Sequence, residues 1–313
     1  MAAELVVLSG KGGTGKTSMV GSLAALADNK ILVDCDVDAA DLHLILSSER
    51  NEEHDFTAGS KAVINQDKCS QCGVCVDYCR FDAIVTETAD SEELFRVEPY
   101  SCEGCGVCRH FCPEEAIDFV PVSSGKWFVS SSKYGTLVHA RLGIAESNSG
   151  KLVSILRSKA KSIAEEDGQE FIIVDGPPGI GCPVIASLTG ADYALIVTEP
   201  SRSALHDMER VVDLAKHFDV GLGICINKFD INASLTKEVI NWARGKHIEV
   251  LAVLPHDKQV VKSQIAGLPY VEYAQEGSVE TLRSLWEKLE LELRAAAKRH
   301  AQNKMTKVTD IKM

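Results

Sequence analysis

One feature constrains this chain more than any other: eight of its 11 cysteines fall between Cys69 and Cys112 as a duplicated run. The first half reads Cys69-x-x-Cys72-x-x-Cys75-x-x-x-Cys79, and the second reads Cys102-x-x-Cys105-x-x-Cys108-x-x-x-Cys112-Pro113. Such density suits a disulfide scaffold in a small secreted protein, but this chain has 313 residues and 45% hydrophobic content, enough for a large core without staples. The N-terminal Met1-Ala2-Ala3-Glu4 has neither the basic start nor the apolar stretch of a signal peptide, so a reducing cytoplasmic setting is expected. Structural zinc pairs two C-x-x-C units, whereas each half here is a triple spacing closed by a fourth cysteine.

Three thiolates at this spacing wrap one face of a cubane iron–sulfur cluster, and the fourth reaches a second cluster instead. The run is similar to that of bacterial two-cluster ferredoxins. The resemblance implies one [4Fe–4S] cluster on Cys69, Cys72, Cys75 and Cys112, and another on Cys102, Cys105, Cys108 and Cys79. Arg80 departs from the proline usual after the fourth cysteine. Asp82-Ala83-Ile84 and Glu115-Ala116-Ile117 read as matching short helices, each followed by a strand. The segment from Lys61 to Val122 carries twelve acidic against five basic residues, over half of the chain's net charge of −12. We read residues 61–122 as an inserted α+β ferredoxin-like domain.

Around the insert, short apolar runs alternate with helix-period segments. Strands are expected at Glu4–Ser9, Ile31–Val33, Phe171–Pro178, Ala194–Pro200, Gly221–Asp230 and Val250–Asp257. Helices are expected at Lys16–Ala27, Ala204–Phe218 and Leu235–Ala243, and a ribbon at Trp127–Val129 and Thr136–His139. This alternation predicts an α/β domain with a mostly parallel sheet and helices on both faces, formed by residues 1–60 and 123–295. Residues 296–313 are left as a tail, a solvated helix with a frayed end. No apolar run is long enough to span a bilayer, and the acidic balance argues against nucleic acid as a partner.

Between the first strand and first helix lies Gly10-Lys11-Gly12-Gly13-Thr14-Gly15-Lys16-Thr17-Ser18, which satisfies the phosphate-loop pattern in its proper context. Backbone N–H groups would cradle phosphates, Lys16 would reach the β- and γ-phosphates, and Thr17 would hold Mg²⁺. Asp34, Asp36 and Asp38 follow the second strand, where three carboxylates repel unless a cation or Lys16 sits among them. Asp38 and Asp41 are open to helix capping or to a functional role.

With its second lysine, Lys11, the loop resembles that of the MinD/ParA/nitrogenase-iron-protein superfamily of deviant Walker A ATPases. The resemblance implies an ATP-dependent homodimer in which Lys11 reaches the partner's nucleotide. It places Asp36 in a first switch beside the attacking water and Mg²⁺, and Asp175 of Asp175-Gly-Pro-Pro-Gly179 in a second switch near Mg²⁺. Asn227-Lys228 matches the adenine-recognition position, and Leu254-Pro255-His256-Asp257 the loop beside the base. Asp41 stands where many relatives carry Asn. Gly176–Val184 and Ser147–Val153 are similar to segments of superfamily members with an inserted ferredoxin domain. Cys182 reads as a buried thiol, Cys35 and Cys225 as core, and His206 and His256, which could approach nucleotide, as surface or packing residues.

The expected function is ATP binding and hydrolysis gating electron transfer or metallocluster delivery to a redox client protein. The alternative is a MinD/ParA-like positioning or regulatory ATPase with the ferredoxin module as redox sensor. Membrane attachment is not expected, because the tail lacks a strong apolar face.

Overall fold

A computed structural model describes residues 2–89, 92–143 and 148–310, with side chains to residue 299. The chain divides into two compact units: residues 1–53, 127–141 and 149–313 form the first, and residues 54–126 and 142–148 the second. The second takes in more chain than the expected 61–122. Its extra residues 54–60 and 123–126 belong to two 16-residue strands, which begin or end well outside the expected bounds, and residues 142–148 join them from further along the chain.

In chain order the elements are β1 (Ala3–Ser9), α1 (Lys16–Leu26), β2 (Lys30–Asp34), α2 (Leu42–Ile45) and β3 (Glu49–Ile64). Next come α3 (Val74–Asp77), β4 (Ile84–Ala89), β5 (Glu92–Val97), α4 (Val107–Phe111), β6 (Ile117–Ser132) and β7 (Gly135–Leu142). The chain continues through α5 (Ser149–Glu166), β8 (Phe171–Pro178), α6 (Cys182–Leu188), β9 (Tyr193–Thr198), α7 (Arg202–His217) and β10 (Gly221–Ile226). It closes with α8 (Ala233–Gly245), β11 (Glu249–Val253), α9 (Gln259–Ile265), α10 (Tyr270–Tyr273) and α11 (Val279–Asp310).

The main sheet runs β11-β10-β9-β1-β8-β2-β7-β6-β3. Its pairings from β11 to β7 are parallel. Both faces of such strands are covered, so β1 is buried at every residue and reads as a continuous apolar run. Side chains alternate across it: Leu5 and Val7 join the core cluster with Leu23 of α1 and Leu285 and Leu289 of α11. The opposite face meets α5, α6 and α7, which contact β2, β8 and β9 respectively. Because β8 lies between β1 and β2, the carboxyl ends of these three strands open side by side, where ligands of open α/β sheets bind. The expected ribbon exists but is longer, as β6 and β7 joined by Lys133-Tyr134.

The second unit contains the antiparallel pair β4–β5 and the short helices α3 and α4. Its core gathers Ala62, Ile64, Ile84 and Ile117 around Cys75, with Cys69, Cys79, Cys102, Cys108 and Cys112 packed against it. The sequence duplication is repeated in the backbone. Asn65 N–H donates to Ala116 C=O, and Glu98 N–H to Ala83 C=O, each at 2.7 Å. Cys69 and Cys102 donate to Asn65 and Glu98, each at 3.1 Å.

The helices expected at Asp82–Ile84 and Glu115–Ile117 are not there. Asp82 and Glu115 are left-handed, with φ 50° and 46°, and the chain then enters β4 and β6. The short helices instead begin one residue before the third cysteine of each half, capped by left-handed Gly73 and Gly106. Helix α11 carries the tail on to Asp310, whereas the expected frayed end at 311–313 lies outside the described residues, as does Ser147.

Candidate functional site

The loop from Gly10 to Thr17 joins β1 to α1, and its conformation follows from its glycines. Gly13 and Gly15 have φ 80° and 96°, and a side chain at Gly15 would strike the Asn227 amide. Asn227 follows β10, and its Nδ2 donates to Thr14 C=O at 2.8 Å. Lys228 Nζ donates to Gly13 C=O at 2.8 Å. Both residues therefore brace the loop from the neighbouring strand end. A cleft of about 40 Å³ lies beside it, lined by Gly15, Ser18, Met19, Asn227, Pro255 and Tyr270 among others. Ser18 Oγ accepts from Gln264 Nε2 at 2.8 Å.

Lys16 is 6% exposed and sits among the aspartates, 2.9 Å from Asp175 Oδ1 and 3.3 Å from Asp36 Oδ2. Burial alone would pull its ammonium down; Asp175 and Asp36 outweigh that and lift it to about 12. Burial raises Asp36 even though Lys16 opposes it. Asp34 is fully buried, and burial with Asp175 nearby raises it well above the usual carboxylate range.

Asp34 nonetheless organises the backbone around it. Its Oδ1 accepts from Asp36 N–H and its Oδ2 from Leu42 N–H, both at 3.1 Å. These bonds fold the loop between β2 and α2. Asp41 occupies the N-cap of α2 but makes no side-chain cap bond, so the capping role expected of Asp38 or Asp41 falls in part to Asp34. Two buried polar atoms are left without partners here, Asp175 Oδ2 and Thr14 Oγ1. Unpaired buried oxygens of this kind are costly unless a ligand engages them. Thr17, half-buried, opens α1 directly after Lys16.

Lys11 folds back onto its own chain. Its Nζ lies 2.8 Å from Glu199 Oε1 and 3.1 Å from Ser201 Oγ. Glu199, just past β9, also pairs with Lys228 at 3.0 Å, and burial of its carboxyl is outweighed by the two lysines, which lower its pKa. Sequence reading missed Glu199. Its only signal is an acidic residue at the end of a buried parallel strand, in the run ALIVTEP.

The cysteines of the second unit line two hollows. Cys69, Cys72, Cys75 and Cys112 line one. Cys79, Cys102, Cys105 and Cys108 line the other. Each half thus sends its fourth cysteine to the other half's three. Ala83 N–H donates to Cys79 Sγ at 3.4 Å, and Ala116 N–H to Cys112 Sγ at 3.3 Å. Those donors face sulfur because Asp82 and Glu115 turn left-handed before them. Burial pushes the Cys75 thiol up to about 11 and raises Cys108. Among the described residues no group of three or more His, Cys, Asp or Glu is drawn together as for a single ion.

Of the remaining cysteines, Cys35 and Cys225 are buried as expected, but Cys182 is exposed. As the first residue of α6 it has no preceding helical turn to cover it. His206 and His256 are exposed, as expected. No helix among the described residues is long and apolar enough to cross a membrane.

Residues 5–270 match the CobQ/CobB/MinD/ParA nucleotide binding domain. An uncharacterized protein of Methanocaldococcus jannaschii, MJ0578, is 34% identical over 232 residues, covering 73% of this chain and 79% of that protein. The septum site-determining protein MinD of Thermotoga maritima is 22% identical over 281 residues, covering 86% and 81%. Among solved structures, MinD of Pyrococcus horikoshii complexed with Mg-ADP superposes with a TM-score of 0.55 at 18% identity, covering 92% of this chain and 96% of that one. MinD of Pyrococcus furiosus gives 0.54 at 20% identity, covering 93% and 99%.

Proposed function

The chain belongs to the CobQ/CobB/MinD/ParA nucleotide-binding family, and from that premise we propose that it is an ATP-hydrolysing iron–sulfur protein. Its nucleotide state gates electron transfer, or metallocluster delivery, to a client protein. The observation that carries the iron–sulfur part is the pair of hollows, each lined by four cysteines drawn from both halves of the run. That donor set, with a backbone N–H aimed at Cys79 and at Cys112, fits a [4Fe–4S] cluster in each hollow. Bound there, the clusters would supply one-electron chemistry, and their cysteines make the second unit a ferredoxin-like insert.

The nucleotide chemistry follows from the first unit. Without nucleotide, Lys16 neutralises Asp175 and Asp36. When ATP enters, Lys16 exchanges these carboxylates for the β- and γ-phosphates, and the loop N–H groups close around them. The freed Asp175, with its unpartnered Oδ2, and Thr17 would hold Mg²⁺, which would supply positive charge against the phosphates. Asp36 positions the attacking water. The cleft by Asn227 and Pro255 takes the base. Lys11 leaves Glu199 and Ser201 to reach the nucleotide of a second copy, so the active form is a homodimer. Catalysis here is positioning and charge stabilisation, and turnover is slow until a client docks.

The second reading is a positioning ATPase with the insert as redox sensor. It is favoured by the MinD proteins among the relatives and superposed structures. Anaerobic reconstitution with iron and sulfide, followed by metal analysis and an ATPase assay on wild type and Asp36→Asn, tests the proposal. Colourless protein, or hydrolysis indifferent to Asp36, would end it. Nucleotide-dependent recruitment to a membrane or scaffold that changes with the redox state of the insert would move the case to the second reading.

A further inference from the structure

A cavity of about 570 Å³ opens in the second unit between residues of β3, β5 and β6, a size typical of small-molecule pockets and lined mostly by apolar side chains. No cysteine faces it, yet it shares walls with both cysteine hollows. Ile64 and Phe95 line the cavity and the hollow of Cys69, Cys72, Cys75 and Cys112. Ala62 and Val97 line the cavity and the hollow of Cys79, Cys102, Cys105 and Cys108. A molecule seated there stands one side chain away from each.

The polar groups on its wall set the chemistry of that molecule. The insert carries twelve acidic and five basic residues. Among the described residues, however, the cavity wall has two cations, Lys61 and Arg96, and no carboxylate. Arg96 is oriented by Glu87 and Glu98, at 2.8 and 2.5 Å. Tyr100 is 70% exposed and offers a flat ring, with Lys61 Nζ 5.9 Å from its centre. An aromatic platform, two cations and an apolar wall suit a planar ring system bearing an anionic tail.

We propose that this cavity binds a planar aromatic two-electron carrier of the flavin mononucleotide class. Its redox role rests on the iron–sulfur reading above. An oxidised flavin becomes its dihydro form by taking up two electrons and two protons. Clusters in the two hollows, each first reduced by a one-electron donor protein, would supply one electron each on returning to the oxidised state, and water would supply the protons.

The test is a titration of the iron-loaded full-length protein with FMN, followed by fluorescence quenching and equilibrium dialysis. Saturating Mg·ATP is present throughout to close the nucleotide site. Saturable binding of one FMN per chain is expected. Val120→Trp, which fills the cavity from its 45% exposed wall position, should weaken binding by at least about tenfold. Riboflavin, which lacks the phosphate, should bind about tenfold more weakly through loss of the Lys61 and Arg96 contacts. Leu291→Trp, 70% exposed on α11 and outside the cavity wall, should bind as wild type does. Absent saturation, or Val120→Trp binding FMN as tightly as wild type, overturns the proposal. Iron analysis of the same samples separates the two readings: protein without iron fails the cluster reading whatever FMN does, and protein with both clusters that ignores FMN fails this one.

Discussion

Replacing Lys16 by Met keeps the aliphatic volume and removes the charge, which isolates what the ammonium does for the folded state. The lysine is buried, and its pKa is lifted from 10.5 to about 12. That lift corresponds to about 2 kcal/mol of preferential stabilisation of the charged form by the native state. The raised pKa fixes the sign. This contribution is fully present below pH about 10.5 and is lost only as pH rises through about 12, so at neutral pH it is constant. The substitution also strands Asp175 and Asp36, and breaking a buried pair typically costs about 3–5 kcal/mol. We expect a loss of about 3 kcal/mol near pH 8, at the low end of that range because Asp36, whose pKa is already raised, can take up a proton. For a chain of this size the melting temperature should fall by about 5 °C. Asp34 and Asp36 already have raised pKa values, and without Lys16 theirs rise further. A raised carboxyl pKa means that the native state gains stability as pH falls through it. The gap between variant and wild type should therefore shrink by about 1 kcal/mol between pH about 8 and about 5.5. Urea unfolding of nucleotide-free protein, followed by far-ultraviolet circular dichroism at both pH values, measures this. A cost below about 1 kcal/mol, or one that does not change with pH, refutes the electrostatic account of Lys16.

Three further outcomes are expected. Asp36→Asn should retain Mg·ATP binding while lowering steady-state hydrolysis by about 100-fold, read by phosphate release, if Asp36 positions the attacking water as proposed. Cys79→Ala, although in the first half of the run, should lower anaerobically reconstituted iron from about eight to about four per chain and spare the cluster held by Cys69, Cys72, Cys75 and Cys112. Glu199→Gln should weaken the contact that holds Lys11 on its own chain and leave it freer to engage a partner. The ATP concentration that half-saturates dimerisation in light scattering should then fall by about threefold, equivalent to a part-exposed ion pair of roughly 0.6 kcal/mol.

What the sequence made legible, and what it hid, divides along a physical line. The strands of the main sheet are buried on both faces, so each announces itself as an uninterrupted apolar run such as LVVL or FIIV. The phosphate loop was legible because its pattern sits between such a strand and a helix. The resemblance to two-cluster ferredoxins implied the partition of the cysteines, and the two hollows are lined by the same two sets. Long-range side-chain partners left no local trace. Glu199 holds Lys11 from across the fold, and the fully buried Asp34, first met as one of three clustered carboxylates, serves as the acceptor that folds the loop into α2. The helices misplaced onto Asp82–Ile84 and Glu115–Ile117 show the limit of propensity. Residues of helical character are held left-handed there, with N–H groups turned to Cys79 and Cys112. The second unit takes in residues 54–60 and 123–126 because β3 and β6 run as single strands past the points where composition changes.

The central claim is that nucleotide bound at Lys16 alters the behaviour of two iron–sulfur centres held by the eight clustered cysteines. The direct measurement is an anaerobic redox titration followed by electron paramagnetic resonance, on the same preparation with and without Mg·ATP. The account predicts two [4Fe–4S] signals whose midpoints or line shapes change on adding Mg·ATP, with no such change in Lys16→Met. Absence of iron–sulfur signals, or curves that superimpose whether or not nucleotide is present, would contradict it.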